Sequence, residues 1–249
     1  MFTQEIVTVT ENKPVAEGYF KLSFNAPELA KNYDPIQFVN VKVGSGTEFL
    51  LRKPFSIYDH TDTDISILFK IYGKGTERLS QYKTGDSLDI LGPLGTGVVP
   101  PKDNVPTALI VGGVGIGSVK ALALKMPKQF DLFYGVRNQG EVVEKQEWSE
   151  LANTVFMCSD DGSCGEKGVV STLFQKQASA YKKIYVCGPH AMLKAVYDVC
   201  PETIESFFIT EEYMACGFGI CMGCVIKTTS GYKRICKEGP VFKGSEIIW

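Results

Sequence analysis

The sequence predicts a multi-domain chain with an N-terminal antiparallel β-barrel, an α/β domain with a parallel sheet, and a small cysteine-rich C-terminal domain. Three observations support this fold class. Short runs that alternate polar and apolar residues recur over about the first 100 residues, which is typical of antiparallel strands. Apolar strands then alternate with helical segments, as in a parallel sheet covered on both faces. Four of the eight cysteines lie in the C-terminal segment.

The composition is that of an ordinary globular protein, with 44% hydrophobic and 22% charged residues among 249. The N-terminus lacks the basic and apolar regions of a secretory signal, and no apolar run approaches the roughly 18 residues of a membrane span. We therefore expect a cytoplasmic protein. The net charge is −2 and basic residues are scattered, so nothing indicates nucleic-acid binding.

The barrel is predicted over residues 1–101. Its candidate strands share a period-two pattern and turn residues at their ends, and they are residues 6–9, 19–24, 38–43, 65–71 and 87–91. Strands of this length and spacing favour a small closed barrel.

A basic pair in this domain, Arg52 and Lys53, directly precedes Pro54, Phe55 and Ser56. Alternate side chains of a strand face opposite ways. One face would therefore offer charge to a phosphate while neighbouring positions meet a ring. A basic pair at a solvated strand edge is the simpler alternative.

A second candidate phosphate contact follows a strand at Gly75 and Thr76. These residues open a short helix, whose free N–H groups and dipole favour an anion. A turn followed by an ordinary helix cap explains the same residues.

The α/β domain is predicted over residues 102–205, after a proline-rich boundary at 99–106. Its first strand runs into a loop that contains Gly112, Gly113, Gly115 and Gly117. A glycine-rich loop between a strand and a helix can hold a diphosphate. The strict G-x-G-x-x-G register fails because Ser118 stands at the third glycine position. The glycines would alternatively serve only close packing of helix on sheet.

Two further strand ends bear on a nucleotide site. No acidic residue closes the second strand of this domain, where Arg137 stands instead of a ribose-binding carboxylate. At another strand end, Cys187, Gly188 and Pro189 occupy the edge where an open α/β sheet places its ligand contacts.

The most informative motif lies in the predicted third domain, residues 206–249. Cys216, Cys221 and Cys224 form a C-x4-C-x2-C pattern, and Cys236 follows twelve residues later. Four thiolates at this spacing are typical of a plant-type 2Fe-2S cluster. Structural zinc sites usually show two separated C-x2-4-C knuckles, and only Cys221 and Cys224 form one. A zinc site is the alternative interpretation of these four cysteines.

With these three parts in this order, the sequence resembles the ferredoxin–NADP reductase superfamily. It is most similar to the iron–sulfur electron-transfer subunits of class 1B dihydroorotate dehydrogenases, the PyrK type. The resemblance covers nearly the whole chain, and its most specific segments are residues 214–224 and 236–242. The Lys-Pro-Phe-Ser run at 53–56 resembles the Arg-Pro-x-Ser flavin motif of the superfamily.

The resemblance implies FAD in the barrel. The residues implied to contact it are Pro54, Phe55 and Ser56 along the ring, Leu68, Phe69 and Lys70 on the neighbouring strand, and Gly75 and Thr76 at the diphosphate. Lys53 replaces the Arg of the family motif. Lysine offers a point charge rather than a bidentate fork, so the diphosphate contact is either shared with Arg52 or weaker.

The resemblance also implies NAD in the α/β domain. The implied contacts are Gly112, Gly113, Gly115 and Gly117 near the diphosphate, and Cys187, Gly188 and Pro189 near the reacting ring. Arg137 leaves NADP open because it would suit a 2′-phosphate, but the family uses NAD and we expect NAD here.

The implied partner is an FMN-containing dihydroorotate dehydrogenase subunit, in a heterotetramer with two of each chain. The complex would oxidise dihydroorotate to orotate with NAD as acceptor, in pyrimidine (UMP) biosynthesis. No catalytic residue is predicted in this chain. Phe218, Ile220 and Met222 are expected either at the partner interface or against the barrel. The alternatives are a reductase subunit of another ferredoxin-linked or oxygenase system, and a non-catalytic flavin-binding protein that holds zinc.

Overall fold

A computed structural model describes residues 2–44, 46–101, 105–126 and 128–249. Over these ranges the chain forms a closed barrel, a seven-stranded sheet and a two-stranded hairpin. No helix in the described ranges is long and apolar enough to cross a membrane. Residues 102–104, in the proline-rich boundary predicted from the sequence, lie outside the described residues.

The barrel has six antiparallel strands in the order β1-β2-β5-β4-β3-β6, and pairing of β1 with β6 closes it. The strands are β1 (Thr3–Ala16), β2 (Tyr19–Asn25), β3 (Phe38–Lys42), β4 (Lys53–His60), β5 (Asp64–Lys70) and β6 (Ser87–Leu94). Two short helices, α1 (Pro27–Lys31) and α2 (Lys74–Ser80), connect them. Inward residues such as Val39, Val41 and Ile67 are fully buried, as the period-two pattern predicts. The predicted barrel is confirmed.

The α/β domain alternates strands and helices, so its sheet is parallel and covered on both faces. Its elements are β7 (Thr107–Gly112), α3 (Ile116–Leu124), β8 (Phe130–Val136), α4 (Lys145–Leu151), β9 (Thr154–Ser159), β10 (Glu166–Lys167), α5 (Val170–Gln175), β11 (Lys183–Cys187), α6 (His190–Val199) and β12 (Glu205–Ile209). The alternation of strands and helices that the sequence predicts for this domain is confirmed.

The C-terminal segment adds β13 (Val225–Thr228), β14 (Gly231–Arg234) and β15 (Val241–Lys243). The first two form an antiparallel hairpin. Strand β15 pairs antiparallel with β12 and completes the sheet order β10-β9-β8-β7-β11-β12-β15. Residues 205–209 and 241–243 therefore belong to the sheet, although the sequence pattern places most of them in the third domain. The pattern changes there because a cysteine loop, rather than a helix, follows β12.

Buried charge joins the barrel to the α/β domain. The Lys120 side chain on α3 has no exposed surface, and its Nζ lies 2.7 Å from Glu147 Oε1 and 3.4 Å from Glu144 Oε2. The same ammonium group lies 4.9 Å from the Trp148 ring centroid and 5.3 Å from that of Tyr58 on β4. The Tyr58 hydroxyl donates to Glu144. One helix thus fixes the barrel strand β4 against the sheet.

Candidate functional site

A cavity of about 500 Å³ lies between the barrel and the α/β domain. Strand β4 and the end of β5 form one wall, the start of α3 a second, and the segment after β12 a third. The predicted flavin contacts on β4, on β5 and just before β4 all line this cavity, namely Arg52, Lys53, Pro54, Phe55, Ser56, Leu68, Phe69 and Lys70. We call it the first cavity.

Ser56 joins the two domains at the floor of the first cavity. Its Oγ lies 2.9 Å from the Oγ of Ser118 on α3, within hydrogen-bond distance. Ser118 is the residue that breaks the G-x-G-x-x-G register. The structure gives it a contact that a glycine would lack.

Arg52 and Lys53, the basic pair, have different contacts. Arg52 donates from Nη2 to both carboxylate oxygens of Asp89, at 2.8 and 2.9 Å, and from Nη1 to the Asp89 carbonyl at 3.0 Å. Lys53 instead extends along Gly75, where a Cβ would lie 3.2 Å from the lysine Cε. The Lys53 ammonium forms no hydrogen bond with the described residues. Lys53, rather than Arg52, is therefore available to a phosphate.

Gly75 and Thr76 lie next to the first cavity rather than on its lining. Thr76 Oγ1 accepts the Tyr72 N–H at 2.9 Å and donates to the Gly73 carbonyl at 3.0 Å. These bonds make Thr76 part of the N-terminal cap of α2. The contact of Gly75 with Lys53 is what brings this turn to the predicted diphosphate end.

A second cavity of about 440 Å³ opens along the carboxyl ends of β7, β8 and β11. Gly112, Gly113, Gly115, Gly188 and Pro189 line it, as predicted. The missing side chains matter, because a Cβ on Gly115 would lie 2.5 Å from the Cys187 carbonyl oxygen.

Two of the predicted NAD contacts lie elsewhere. Gly117 lines the first cavity, and a Cβ there would lie 3.2 Å from Leu68 Cβ. Cys187 is completely buried behind the second cavity, and burial raises the pKa of its thiol.

The two cavities share one boundary, formed by Lys70, Tyr72, Val114 and Glu211. Lys70 Nζ donates to Glu141 Oε1 at 2.6 Å and lies 5.0 Å from the Tyr19 ring centroid. Ligands in the two cavities would therefore meet at this boundary, beside the ammonium group of Lys70, which is paired with Glu141.

Glu211 faces both cavities from the third wall. Its side chain is exposed to the open cavities, but protein surrounds them, and this desolvation raises the pKa of the carboxyl group. The sequence offered no pattern that singles out Glu211 or Glu141.

The sequence analysis predicts no carboxylate at the second cavity. Asp160 lines this cavity together with Arg137. Asp160 follows β9, the third strand, and the carboxyl ends of β8 and β9 meet at the same sheet edge. The signal for Asp160 in the sequence is its position directly after an apolar strand.

The cysteine loop brings the four predicted ligands together in two pairs. Cys216 lies beside Cys221, and Cys236 lies beside Cys224, whose Sγ accepts the Cys236 N–H at 3.4 Å. Among the described residues no three histidine, cysteine or carboxylate side chains converge on a single metal-ion position. A 2Fe-2S cluster takes two thiolates on each iron, which fits two pairs better than a mononuclear zinc site does.

Backbone N–H groups of the loop point at the first ligand. Those of Ile220 and Cys221 lie 3.4 and 3.5 Å from Cys216 Sγ. Desolvation opposes ionisation of Cys216, but donation from Cys221, Phe218 and Ile220 outweighs it and lowers the pKa to about 6. Burial raises the pKa of Cys236 to about 12. The loop thus favours the thiolate form of Cys216, while Cys236 needs a metal to ionise it.

Left-handed backbone shapes the loop. Gly217 and Gly219 have φ values of +76° and +89°, which glycine adopts without steric cost. Arg234 on the hairpin holds the loop by donating to the Gly219 carbonyl at 2.5 Å. Ile220 is 74% and Met222 50% exposed, whereas Phe218 is half-buried and its ring centroid lies 5.6 Å from that of Phe2.

Comparison with known proteins agrees with this architecture. Residues 211–248 match the family described as the iron-sulfur cluster binding domain of dihydroorotate dehydrogenase B. Residues 109–198 match the oxidoreductase NAD-binding domain. A solved NADH-dependent reduced ferredoxin-NADP oxidoreductase superposes with a TM-score of 0.87 at 26% identity, over 98% of this chain and 90% of that one. Fold and site thus define an oxidoreductase of the ferredoxin–NADP reductase type.

Full-length relatives narrow this class. The electron transfer subunit of dihydroorotate dehydrogenase B (NAD(+)) from Geobacillus sp. (strain WCH70) is 34% identical over 100% of both chains. The corresponding subunit from Clostridium acetobutylicum is 36% identical, over 96% of this chain and 95% of its own. The chain belongs to the family of dihydroorotate dehydrogenase B electron transfer subunits.

Proposed function

We propose that this chain carries electrons between NAD(H), FAD, a 2Fe-2S cluster and the FMN of a dihydroorotate dehydrogenase catalytic subunit. The observation that carries the proposal is the shared boundary of the two cavities, in a chain whose cysteine loop packs on the same barrel. Nicotinamide exchanges two electrons as a hydride, an iron–sulfur cluster takes one, and a flavin does both. The protein's own task is to bind, align and separate these groups.

In the first cavity, strand β4 would align the flavin. Pro54, Phe55 and Ser56 would follow its ring, and Ser56 is held by Ser118. Lys53 would meet the diphosphate as a point charge, because Arg52 is committed to Asp89. Gly75 leaves room for the lysine stem.

In the second cavity, the glycine loop would receive the NAD diphosphate at the start of α3, where backbone N–H groups and the helix dipole favour anions. Gly188 and Pro189 would border the nicotinamide end. Lys70, held by Glu141, would fix where the nicotinamide meets the flavin. Tyr72 and Val114 would exclude water from this meeting point.

The cluster ligands would be Cys216, Cys221, Cys224 and Cys236. Cys221 is the exposed member of the set, and the exposed Ile220 and Met222 flank it. Exposed apolar residues beside an exposed ligand suit a protein interface. We place the FMN-containing partner there, with two copies of each chain in the complex and in the cytoplasm, where thiols stay reduced.

Co-expression with a candidate FMN subunit tests the proposal. We expect the two chains to co-purify, to contain FAD, FMN, iron and sulfide, and to reduce NAD with dihydroorotate. A colourless chain that holds zinc and shows no visible bleaching with NADH would contradict electron transfer and favour the zinc-binding alternative.

A second candidate function is that of a reductase subunit for another ferredoxin-linked system. It is favoured by the superposition on the ferredoxin-NADP oxidoreductase. Co-purification separates the two, because a chain of that kind would reduce ferredoxin with NADH and would not associate with the FMN subunit.

A further inference from the structure

Asn40 is a polar residue in an unusual position on the barrel. It lies on β3 between Val39 and Val41, which are fully buried in the barrel core. Because side chains alternate along a strand, Asn40 points outward from the barrel. It is nevertheless 0% exposed, because the cysteine loop covers it.

The amide of Asn40 contacts the first cluster ligand. Its Nδ2 lies 3.4 Å from the Cys216 carbonyl oxygen and donates to it. The fit is tight, because a Cβ on Gly217 would overlap the Asn40 amide nitrogen. Gly217 is therefore required both by its positive φ and by Asn40.

Asn40 also leaves a polar atom unpaired. Its Oδ1 is buried and has no hydrogen-bond partner in the part of the chain that the structure describes. Burying an amide with an unmet acceptor destabilises the folded state. An apolar residue would fill this position without that cost, so stability alone does not explain the asparagine.

The same strand reaches both redox sites. Phe38, two residues before Asn40 on the same outward face, lines the first cavity. Residues two apart on a strand are separated by about 7 Å. Asn40 also pairs with Pro54 of the flavin-binding strand. Its side chain thus contacts the loop of Cys216 from a strand that is paired with the predicted flavin wall.

We propose that Asn40 is a positioning residue of the electron path, whose amide fixes the cysteine loop on the flavin barrel and tunes the cluster. The inference rests on the proposed function. The amide dipole and its hydrogen bond act on the peptide of a cluster ligand, and hydrogen bonding and local charge set the reduction potentials of such clusters.

The test compares Asn40→Ser with Asn12→Ser in the purified complex. Asn12 is a matched control, since it is a barrel asparagine that donates to three carbonyls, those of Leu79, Ser80 and Tyr82. Its Oδ1 is likewise unpaired within the described residues. Measurements are iron and sulfide content, the electron paramagnetic resonance spectrum of the reduced cluster, and a redox titration of cluster against flavin.

We expect Asn40→Ser to keep NADH reduction of the flavin within twofold of wild type. The equilibrium constant for the electron between cluster and flavin should change about tenfold in favour of the flavin, which is about 59 mV for one electron. The resonance lines of the reduced cluster should also shift. Loss of iron with retained FAD would also support the proposal, provided that Asn12→Ser keeps its iron.

The proposal is overturned if Asn40→Ser matches wild type in spectrum and titration, or if Asn12→Ser changes both equally. If Asn40→Ser does not fold, Asn40→Leu decides by the same criteria, because it keeps the approximate size and removes the donor without burying a charge. A folded wild-type chain that holds no iron would instead refute the proposed function.

Discussion

Two regions of the molecule are stabilised in opposite ways. One is the contact between the barrel and the α/β domain around Lys120, which we call the joint, and the other is the cysteine loop. At the joint, Lys120 is fully buried, is paired with Glu147 at 2.7 Å and lies against two aromatic rings. In the loop, Ile220 is 74% exposed and left-handed residues set the path of the backbone. Packing of buried side chains thus sets the joint, whereas backbone conformation sets the loop.

This difference suits electron transfer. The cavities at the joint have to hold two organic cofactors at a fixed separation, which calls for rigid walls. The loop has to bring a cluster close to the surface, where a partner can reach it. A thin, exposed loop does this.

The largest effect is expected from breaking the loop. Cys224→Ala should abolish electron delivery to the partner, because one iron loses a ligand, while NADH still reduces the flavin. Iron analysis and stopped-flow absorbance measure the two steps. Cys200→Ala, at a half-buried cysteine outside the motif, is the matched control and should keep both. Full delivery by Cys224→Ala would show that the cluster is not on the path.

Disrupting the joint should lower the activity less than disrupting the loop does, and it should lower the free energy of unfolding more. Lys120→Met leaves Glu144 and Glu147 without their buried counter-charge, and loss of one partner of a buried pair costs about 3 kcal/mol. Urea unfolding of the chain measures this loss. Lys125→Met, at an exposed position just after the same helix, should change the free energy of unfolding by less than about 0.5 kcal/mol. Equal losses would mean that the buried charge does not hold the joint.

The basic pair tests how the joint binds its flavin. Lys53→Met should weaken FAD binding about tenfold, since a charged hydrogen bond contributes roughly 1.5–3 kcal/mol. Arg52→Met should weaken it less, because Arg52 is paired with Asp89. Fluorescence titration of the flavin-free chain gives both affinities. A larger loss from Arg52→Met would reverse the assignment.

The smallest effect is expected at Glu211. Desolvation raises the pKa of its carboxyl group in the folded chain, so the folded state binds this proton more tightly than the unfolded state does. Its contribution to stability is therefore present at low pH and is lost as the pH rises through the folded pKa. Lys70, Arg137, Glu141 and Asp160 share its cavity.

Glu211→Gln should accordingly unfold at a higher temperature than wild type at pH 8 in the flavin-free chain, and the difference should vanish near pH 4. Thermal melts at the two pH values measure it. If the melting temperatures of the variant and wild type differ by the same amount at pH 4 and at pH 8, Glu211 does not titrate in this range.

By itself the sequence determined the order of the domains, the closed barrel, the parallel sheet and the four cysteines. These features are local: period-two alternation, apolar strands between helices, and C-x4-C-x2-C spacing are each written within short segments. The candidate contacts on β4 and in the glycine loop could be proposed from the sequence for the same reason, because each lies in one contiguous run.

Only the tertiary structure decided which residues meet across segments. Glu141 reaches Lys70, Asp160 reaches the cavity of Arg137, and Asn40 reaches Cys216 across more than 170 residues of sequence. The tertiary structure also shows that Gly117 lines the first cavity and that Arg52 forms an ion pair with Asp89. Such contacts arise from strand order and domain packing, which bring distant residues together without leaving a periodic pattern in the sequence.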